Sequence, residues 1–231
     1  MMYPLRQTFN PSRIVGGQEA PEMYAPFQCL IQTSDVSILC SGSIISNEFI
    51  LTAAHCLHEN KICNYGISFV DDVSRYFLIG IRQITGLRAN DIGLIRVKGS
   101  IKFNNRVRSI DLLRGEVADF TDLELTGWGR LSANGDDPTK LQLITLKTYP
   151  LKECKKRWSG QEILTARQIC TFTKSGEGSC KGDSGGPLVL RQGSNVQLVG
   201  IVSFGMPCAD GYPDVYTKVS HYLNWIANNA T

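Results

Sequence analysis

Gly182-Asp183-Ser184-Gly185-Gly186-Pro187-Leu188-Val189-Leu190 sets turn-forming residues directly against a short apolar run. Glycine reaches positive φ at no steric cost and lets another molecule approach the backbone closely. The stretch therefore reads as a tight, exposed turn opening into a β-strand. The same alternation continues outward in both directions. Short β-branched and aromatic runs at 27–33, 43–45, 49–52, 123–126, 141–148, 187–190 and 196–204 are broken by Gly, Asn, Asp or Pro. That rhythm predicts an all-β sandwich or barrel. Helical spacing is confined to the C-terminal stretch, where Val219, Leu223 and Ile226 share a face, Ser220 is a candidate N-cap, and Asn228 and Asn229 follow. Two β halves meeting near 113–116 would account for 231 residues, although no internal repeat in the sequence proves it.

Composition excludes several classes of function. With 42% hydrophobic and 19% charged residues the chain can bury a sizeable core unaided. The net charge of +3 is spread along the chain without a run of five like charges, which argues against nucleic acid or an anionic membrane as partner. No apolar stretch is long enough to span a bilayer. Eight cysteines contain no C-x-x-C pair and the three histidines no His-x-x-x-His pair, so neither a metal site nor a cofactor is expected. The even cysteine count points to disulfides and an oxidising compartment, hence secretion. Met1-Met2-Tyr3-Pro4-Leu5-Arg6 lacks the apolar core of a signal peptide. The cysteines carry more weight, and the expectation is an incomplete N-terminus.

The chemistry starts at Ser184. Its turn aims the N–H groups of Gly182 and Ser184 toward one point, where an oxyanion could be stabilised. A serine hydroxyl is a poor nucleophile near neutral pH and needs a base within hydrogen-bond reach. His221 sits in the C-terminal helical region and His58 in a polar loop beside Glu59 and Asn60. His55, in Leu51-Thr52-Ala53-Ala54-His55-Cys56, follows an apolar strand with small neighbours that leave an imidazole room to turn toward a cleft. The imidazole in turn needs an acceptor to fix its tautomer and stabilise its charged form. Asp91, in Asn90-Asp91-Ile92-Gly93-Leu94-Ile95, enters an apolar strand where an acid is costly unless paired, whereas Asp71 and Asp72 read as a solvated turn.

Thr52-Ala53-Ala54-His55-Cys56, Asn90-Asp91-Ile92-Gly93-Leu94 and Gly182-Asp183-Ser184-Gly185-Gly186-Pro187 follow the His, Asp, Ser order of the chymotrypsin-like serine proteases, which the chain resembles. Ile14-Val15-Gly16-Gly17 and Thr126-Gly127-Trp128-Gly129 add two further matching motifs. Ile169-Cys170-Thr171-Phe172-Thr173-Lys174 and Gly176-Glu177-Gly178 look most like insect, and especially hymenopteran, chymotrypsins. The resemblance implies two six-stranded antiparallel Greek-key β-barrels with a C-terminal α-helix and the triad in the cleft between them. Residues 1–13 would be an activation peptide and 14–231 the peptidase domain, divided into barrels at 14–114 and 115–231. Ser184 would attack the scissile carbonyl, His55 relay the proton, Asp91 orient His55, and Gly182 and Ser184 form the oxyanion hole. Cutting after Arg13 would free the Ile14 amine to pair with Asp183. Cys40–Cys56, Cys154–Cys170 and Cys180–Cys208 are the implied bridges, with Cys29 and Cys63 extra and more naturally free than paired.

For substrate choice the resemblance places Gly178 at the pocket base, Gly205 on an open wall and Phe204 as an aromatic wall where the family usually has tryptophan. Ser203 would support Asp91 and line the substrate strand, and Lys181 would stand at the rim. These imply a roomy apolar pocket for large apolar or aromatic side chains. Asp214 stands where glycine is common, and would instead permit broad or trypsin-like specificity. The segment between 67 and 91 is shorter than in the family, which removes a calcium-binding loop, threatens a barrel strand and could shift Asp91. A non-catalytic homologue acting as a binding module is the rival class, although all three triad residues are present. Expected partners are protein and peptide substrates, a trypsin-like activating protease and protein protease inhibitors, with the enzyme itself a monomer.

Overall fold

The computed structural model describes residues 14–32, 38–57, 66–69, 72–83, 88–159, 164–206 and 208–231, with 38, 39, 66–69, 72–83 and 88 described by backbone alone. Arg13, His58, Cys63, Val70 and Asp71 lie outside the described residues. Strands dominate. After β1 (Gln18–Glu19), the first half contains β2 (Gln28–Gln32), β3 (Ile38–Ile44), β4 (Phe49–Thr52), β5 (Gly66–Phe69), β6 (Asp72–Gln83) and β7 (Gly93–Val97). The second contains β8 (Asp111–Leu112), β9 (Asp122–Gly127), β10 (Gln142–Tyr149), helix α1 (Leu151–Arg157), β11 (Gln168–Thr171), β12 (Pro187–Gln192), β13 (Asn195–Phe204) and β14 (Asp214–Lys218), then helix α2 (Leu223–Asn229).

Strands β2–β3–β4–β7–β6–β5 form a closed antiparallel barrel, sealed where β5 returns to β2. The shortened segment therefore does not cost a barrel strand: β5 pairs with both β2 and β6, and β6 with β7. In the second half the pairings run β9–β10–β11–β14–β13–β12 and back to β9, a second antiparallel ring. Numbered within each half, both rings have the same strand order. The repeat that the sequence hides is thus present in the topology. Closure removes the exposed edges that would otherwise template aggregation. Two end segments cross between the halves. β1 pairs with β10, and Val219, Tyr222 and Ile226 join the apolar cluster that holds Ile31, Ile44, Leu51, Ile92 and Ile95 of the first barrel.

Helix α1 follows Pro150, with Glu153 in its first turn and Lys155, Lys156 and Arg157 in its last, each placed to suit the helix dipole. At the C-terminal end the residues Val219–Tyr222 form a 3-10 turn before α2 begins. Ser220 lies inside that turn and is not an N-cap, and Tyr222 takes the cap position without a side-chain bond.

Candidate active site

His55 lies in the 3-10 turn Ala54–Leu57, immediately after β4. The Cys40–Cys56 bridge ties this turn to β3. Asp91 sits just before β7, which pairs along the whole of β4, so the two short segments leave the same end of the barrel side by side. The Asp91 carboxylate accepts the His55 backbone N–H at Oδ1 (2.9 Å) and lies 2.7 Å from His55 Nδ1 through Oδ2. Ser203 Oγ donates to the same Oδ2 at 2.6 Å. Burial alone would push this carboxyl up, but the bonds and charge of His55 and the Ser203 hydroxyl outweigh it and hold Asp91 below the usual carboxylate range. The shortened segment has not displaced Asp91 from His55.

Ser203 reaches Asp91 because the β13–β14 register slips between Val202 and Phe204. Such a bulge re-aims a side chain out of the ladder. The turn carrying Asp91 is further pinned from the second half. Thr217 Oγ1 donates to Asp91 O (2.7 Å), Gln168 Nε2 to Ala89 O (3.0 Å), Arg167 Nη1 to Asn90 Oδ1 (3.2 Å) and Tyr222 OH to Asn90 Oδ1 (2.9 Å). None of these four was legible as a functional residue, because each belongs to a type that is ordinary on strand and helix surfaces.

The Ser184 turn is clamped between the halves. Ser41 N–H donates to Ser184 O (2.7 Å) from β3, and Gly185 N–H to Val202 O (2.8 Å) on β13. Gly185 has φ +77°, and a Cβ there would meet Thr52 Oγ1 at 2.1 Å and Ser41 O at 2.4 Å. Only glycine lets the turn press against the residues leading into His55. Gly182, at φ +100°, gives the turn its other bend. Arg130 N–H binds Lys181 O at 2.8 Å. Because a trans peptide directs its N–H opposite its carbonyl, this bond points Gly182 N–H away from the Arg130 loop. Among the described residues no backbone carbonyl accepts the N–H of Gly182 or of Ser184, which leaves two donors beside the hydroxyl.

Ser184 opens on a cavity of about 170 Å³ walled by Ser179, Cys180 and Lys181 on one side and Ser203, Phe204 and Gly205 on the other. Phe204 packs edge-on against Trp158 (5.3 Å between centroids), whose Nε1 donates to Pro213 O. Cys180–Cys208 crosslinks the two walls, and Cys154–Cys170 ties α1 to β11. Asp214 is buried, and its Oδ2 accepts Ser179 N–H at 2.6 Å. Burial, reinforced by the charge of Asp183, raises its carboxyl to about 7 although Ser179 bonds act in the opposite sense.

Asp183 is fully buried behind Ser184, accepting Gly129 N–H (2.8 Å) and Cys180 N–H (2.9 Å). Burial raises it to about 6 against those two donors. Ile14 is buried as well, and Val15 pairs with Gly178 in the segment leading to Asp183. Cys29 is a free thiol in the first barrel, buried and held far above its ordinary titration range by desolvation. One group of described residues, Cys40, His55 and Cys56, brings potential metal ligands within reach of one another, and its two sulfurs are already bonded together.

The His55–Asp91 pair, bonded to Ser203, and the Ser184 turn, bonded to Ser41, both stand at the seam of two antiparallel rings. The trypsin family model matches residues 14–226, and the chain belongs to the trypsin family of serine proteases. It is 41% identical to Chymotrypsin-2 of Vespa crabro over 227 residues, covering 94% of this chain and 99% of that protein. It is 34% identical to a trypsin of Sus scrofa over 230 residues, covering 95% and 96%. Trypsin-1 of Astacus astacus is 33% identical over 237 residues, covering 94% and 100%. The protein therefore hydrolyses peptide bonds in protein and peptide substrates.

Proposed function

We propose that the protein is a secreted serine endopeptidase made as a zymogen, which cuts after large apolar or aromatic residues by means of Ser184, His55 and Asp91. The observation that carries this is the chain of bonds Ser203–Asp91–His55, together with a Ser184 turn in which, among the described residues, neither the Gly182 nor the Ser184 N–H has a backbone acceptor. With Asp91 bound at Nδ1, His55 presents Nε2 to the Ser184 hydroxyl and takes its proton as Oγ attacks the scissile carbonyl. The Gly182 and Ser184 N–H groups then receive the oxyanion, a contribution of about 3 kcal/mol for each well-placed donor. His55 returns the proton to the leaving amine, and water repeats the cycle on the acyl-enzyme.

Activation follows from the charge at Asp183. The carboxyl is buried with two N–H donors, and among the described residues no cationic side chain bonds to it. Cleavage after Arg13 by a trypsin-like protease would create an ammonium at Ile14 and supply that missing charge. A buried pair left with one partner is strongly destabilised, so cleavage adds stability where the Ser184 turn needs it. Secretion is supported by the three disulfides.

The specificity reading rests on the cavity walls, where Gly205 leaves space and Phe204 offers an aromatic face. Asp214 favours a second reading, in which Arg or Lys is accepted. Hydrolysis of matched peptides bearing Phe, Leu, Arg or Lys before the scissile bond, with and without brief trypsin treatment, tests both. Cleavage at Phe or Leu that appears only after trypsin, and is lost in Ser184→Ala, is the expected result. A folded, cleaved protein with a free Ile14 and no hydrolysis overturns the enzymatic assignment of these residues.

A further inference from the structure

We propose that Asp214 makes the side-chain pocket change its preference with pH, taking large apolar side chains when its carboxyl is neutral and Arg or Lys as well when it is ionised. The inference rests on the protease reading above and turns its two specificities into two states of one pocket. A Cβ on Gly205 would lie 2.4 Å from Asp214 Oδ1, and a Cβ on Gly178 would lie 2.5 Å from Oδ2. The carboxyl thus fills the volume that two ordinary side chains would take. Gly205 forms the cavity wall on one side, and Ser179, next to Gly178, forms it on the other. Asp214 itself lies behind this wall, and neither glycine carries a side chain that would screen its carboxyl from an occupant of the cavity.

The ionised form is poorly provided for by the protein itself. Ser179 supplies its bonds, from the backbone N–H at 2.6 Å and with help from the hydroxyl. The other groups around it do not balance its charge. Asp183 is buried and repels it, and Tyr216 on the same strand stays neutral, its phenol driven well above its usual range by burial and then by Asp214. Thr171, paired with Asp214 across β11 and β14, carries no charge. Lys181 is exposed at the cavity rim, Lys174 is bonded to Glu177, and Asp210 is exposed. A cation entering the cavity is therefore the natural partner of the carboxylate, whereas an apolar side chain strips it of water and favours the neutral acid. Because burial raises this carboxyl to about 7, both forms are present near neutrality.

A single proton separates the two states, so the Arg-over-Phe ratio of kcat/KM can rise by no more than about tenfold per pH unit. The experiment is competitive hydrolysis, by the trypsin-activated protein, of two peptides that differ only in Phe or Arg before the scissile bond. Taking the ratio cancels any effect of pH on the hydrolytic step that the two peptides share. The ratio is expected to rise at least about tenfold between roughly pH 6 and pH 8, and to lose its slope in Asp214→Asn. Should that variant fail to fold, Asp214→Ser serves the same comparison. A ratio that stays flat in the parent, or keeps its slope without the carboxyl, overturns the proposal. Labelling of Ser184 by a fluorophosphonate separates the two failures: a labelled enzyme with a flat ratio sinks the pH dependence alone, and an unlabelled one sinks the protease reading with it.

Discussion

Replacing Asp183 by Asn should stabilise the uncut chain and destabilise the cut one. In the uncut chain the carboxyl is raised to about 6 by burial, against an unfolded value of about 3.9. Between these values the folded protein holds a proton that the unfolded chain has released, so stability falls as pH rises. The loss is about 1.4 kcal/mol per pH unit across some two units, or roughly 3 kcal/mol, complete above about pH 6. Asn carries no charge to desolvate and can still accept one of the two N–H bonds from Gly129 and Cys180. Asp183→Asn should therefore gain up to roughly 3 kcal/mol near pH 8 and nothing near pH 4. After cleavage at Arg13 the sign reverses, because Asn leaves the Ile14 ammonium unpaired, at a cost of about 3–5 kcal/mol. Urea unfolding followed by tryptophan fluorescence, on Ser184→Ala protein to prevent self-digestion, reads both forms at both pH values. Equal effects of the substitution in cut and uncut protein would refute the argument that cleavage supplies the partner of Asp183.

Ser203→Ala should cost about 1.5–3 kcal/mol at neutral pH, the worth of a bond to an ionised group. Because the folded Asp91 carboxyl is held below its unfolded value, the parent's advantage is present above the unfolded value and lost as pH falls through the folded one, which urea titrations at neutral and strongly acid pH will detect. Gly178→Ala places a methyl 2.5 Å from Asp214 Oδ2 at a backbone φ of +153°, so its destabilisation should be relieved in part in the double variant with Asp214→Gly, with a coupling of at least about 1 kcal/mol in a thermal double-mutant cycle. Converting Cys154 and Cys170 to Ala opens a loop with a sequence separation of 16. It should remove about 3 kcal/mol and lower Tm by roughly 6–12 °C by calorimetry.

Half of the strands and the paired residues His55 and Asp91 were legible because both rest on short, local patterns. The seven runs read as strands fall in β2, β3, β4, β9, β10, β12 and β13. His55 and Asp91 stood out because a polar side chain at the mouth of an apolar strand needs a partner. Helix α1 was missed although Pro150, Glu153 and three basic residues mark it, since one turn of buried surface around Cys154 leaves little periodicity to see. The equal strand order of the barrels was also hidden. Topology is fixed by which strands pair, and quite different apolar residues can line equivalent strands. The bonds from Thr217, Gln168, Arg167 and Tyr222 to the Asp91 turn span separations that no local pattern records.

Tyr222, Ile226 and Val219 lie in the apolar cluster that holds the core of the first barrel, whose own strands end at Val97. During synthesis the first barrel is therefore released from the ribosome long before the side chains that complete its packing have been made. It must wait half-finished, with an apolar face uncovered, while the second barrel is translated. The Asp91 turn waits too, since the hydroxyl of Tyr222 that braces it is among the last to emerge. A ribosome stalled short of Val219 would thus hold a chain with Ser184, His55 and Asp91 all present and their frame still open. The order of translation itself delays the assembly of a cutting site until nearly the whole molecule exists.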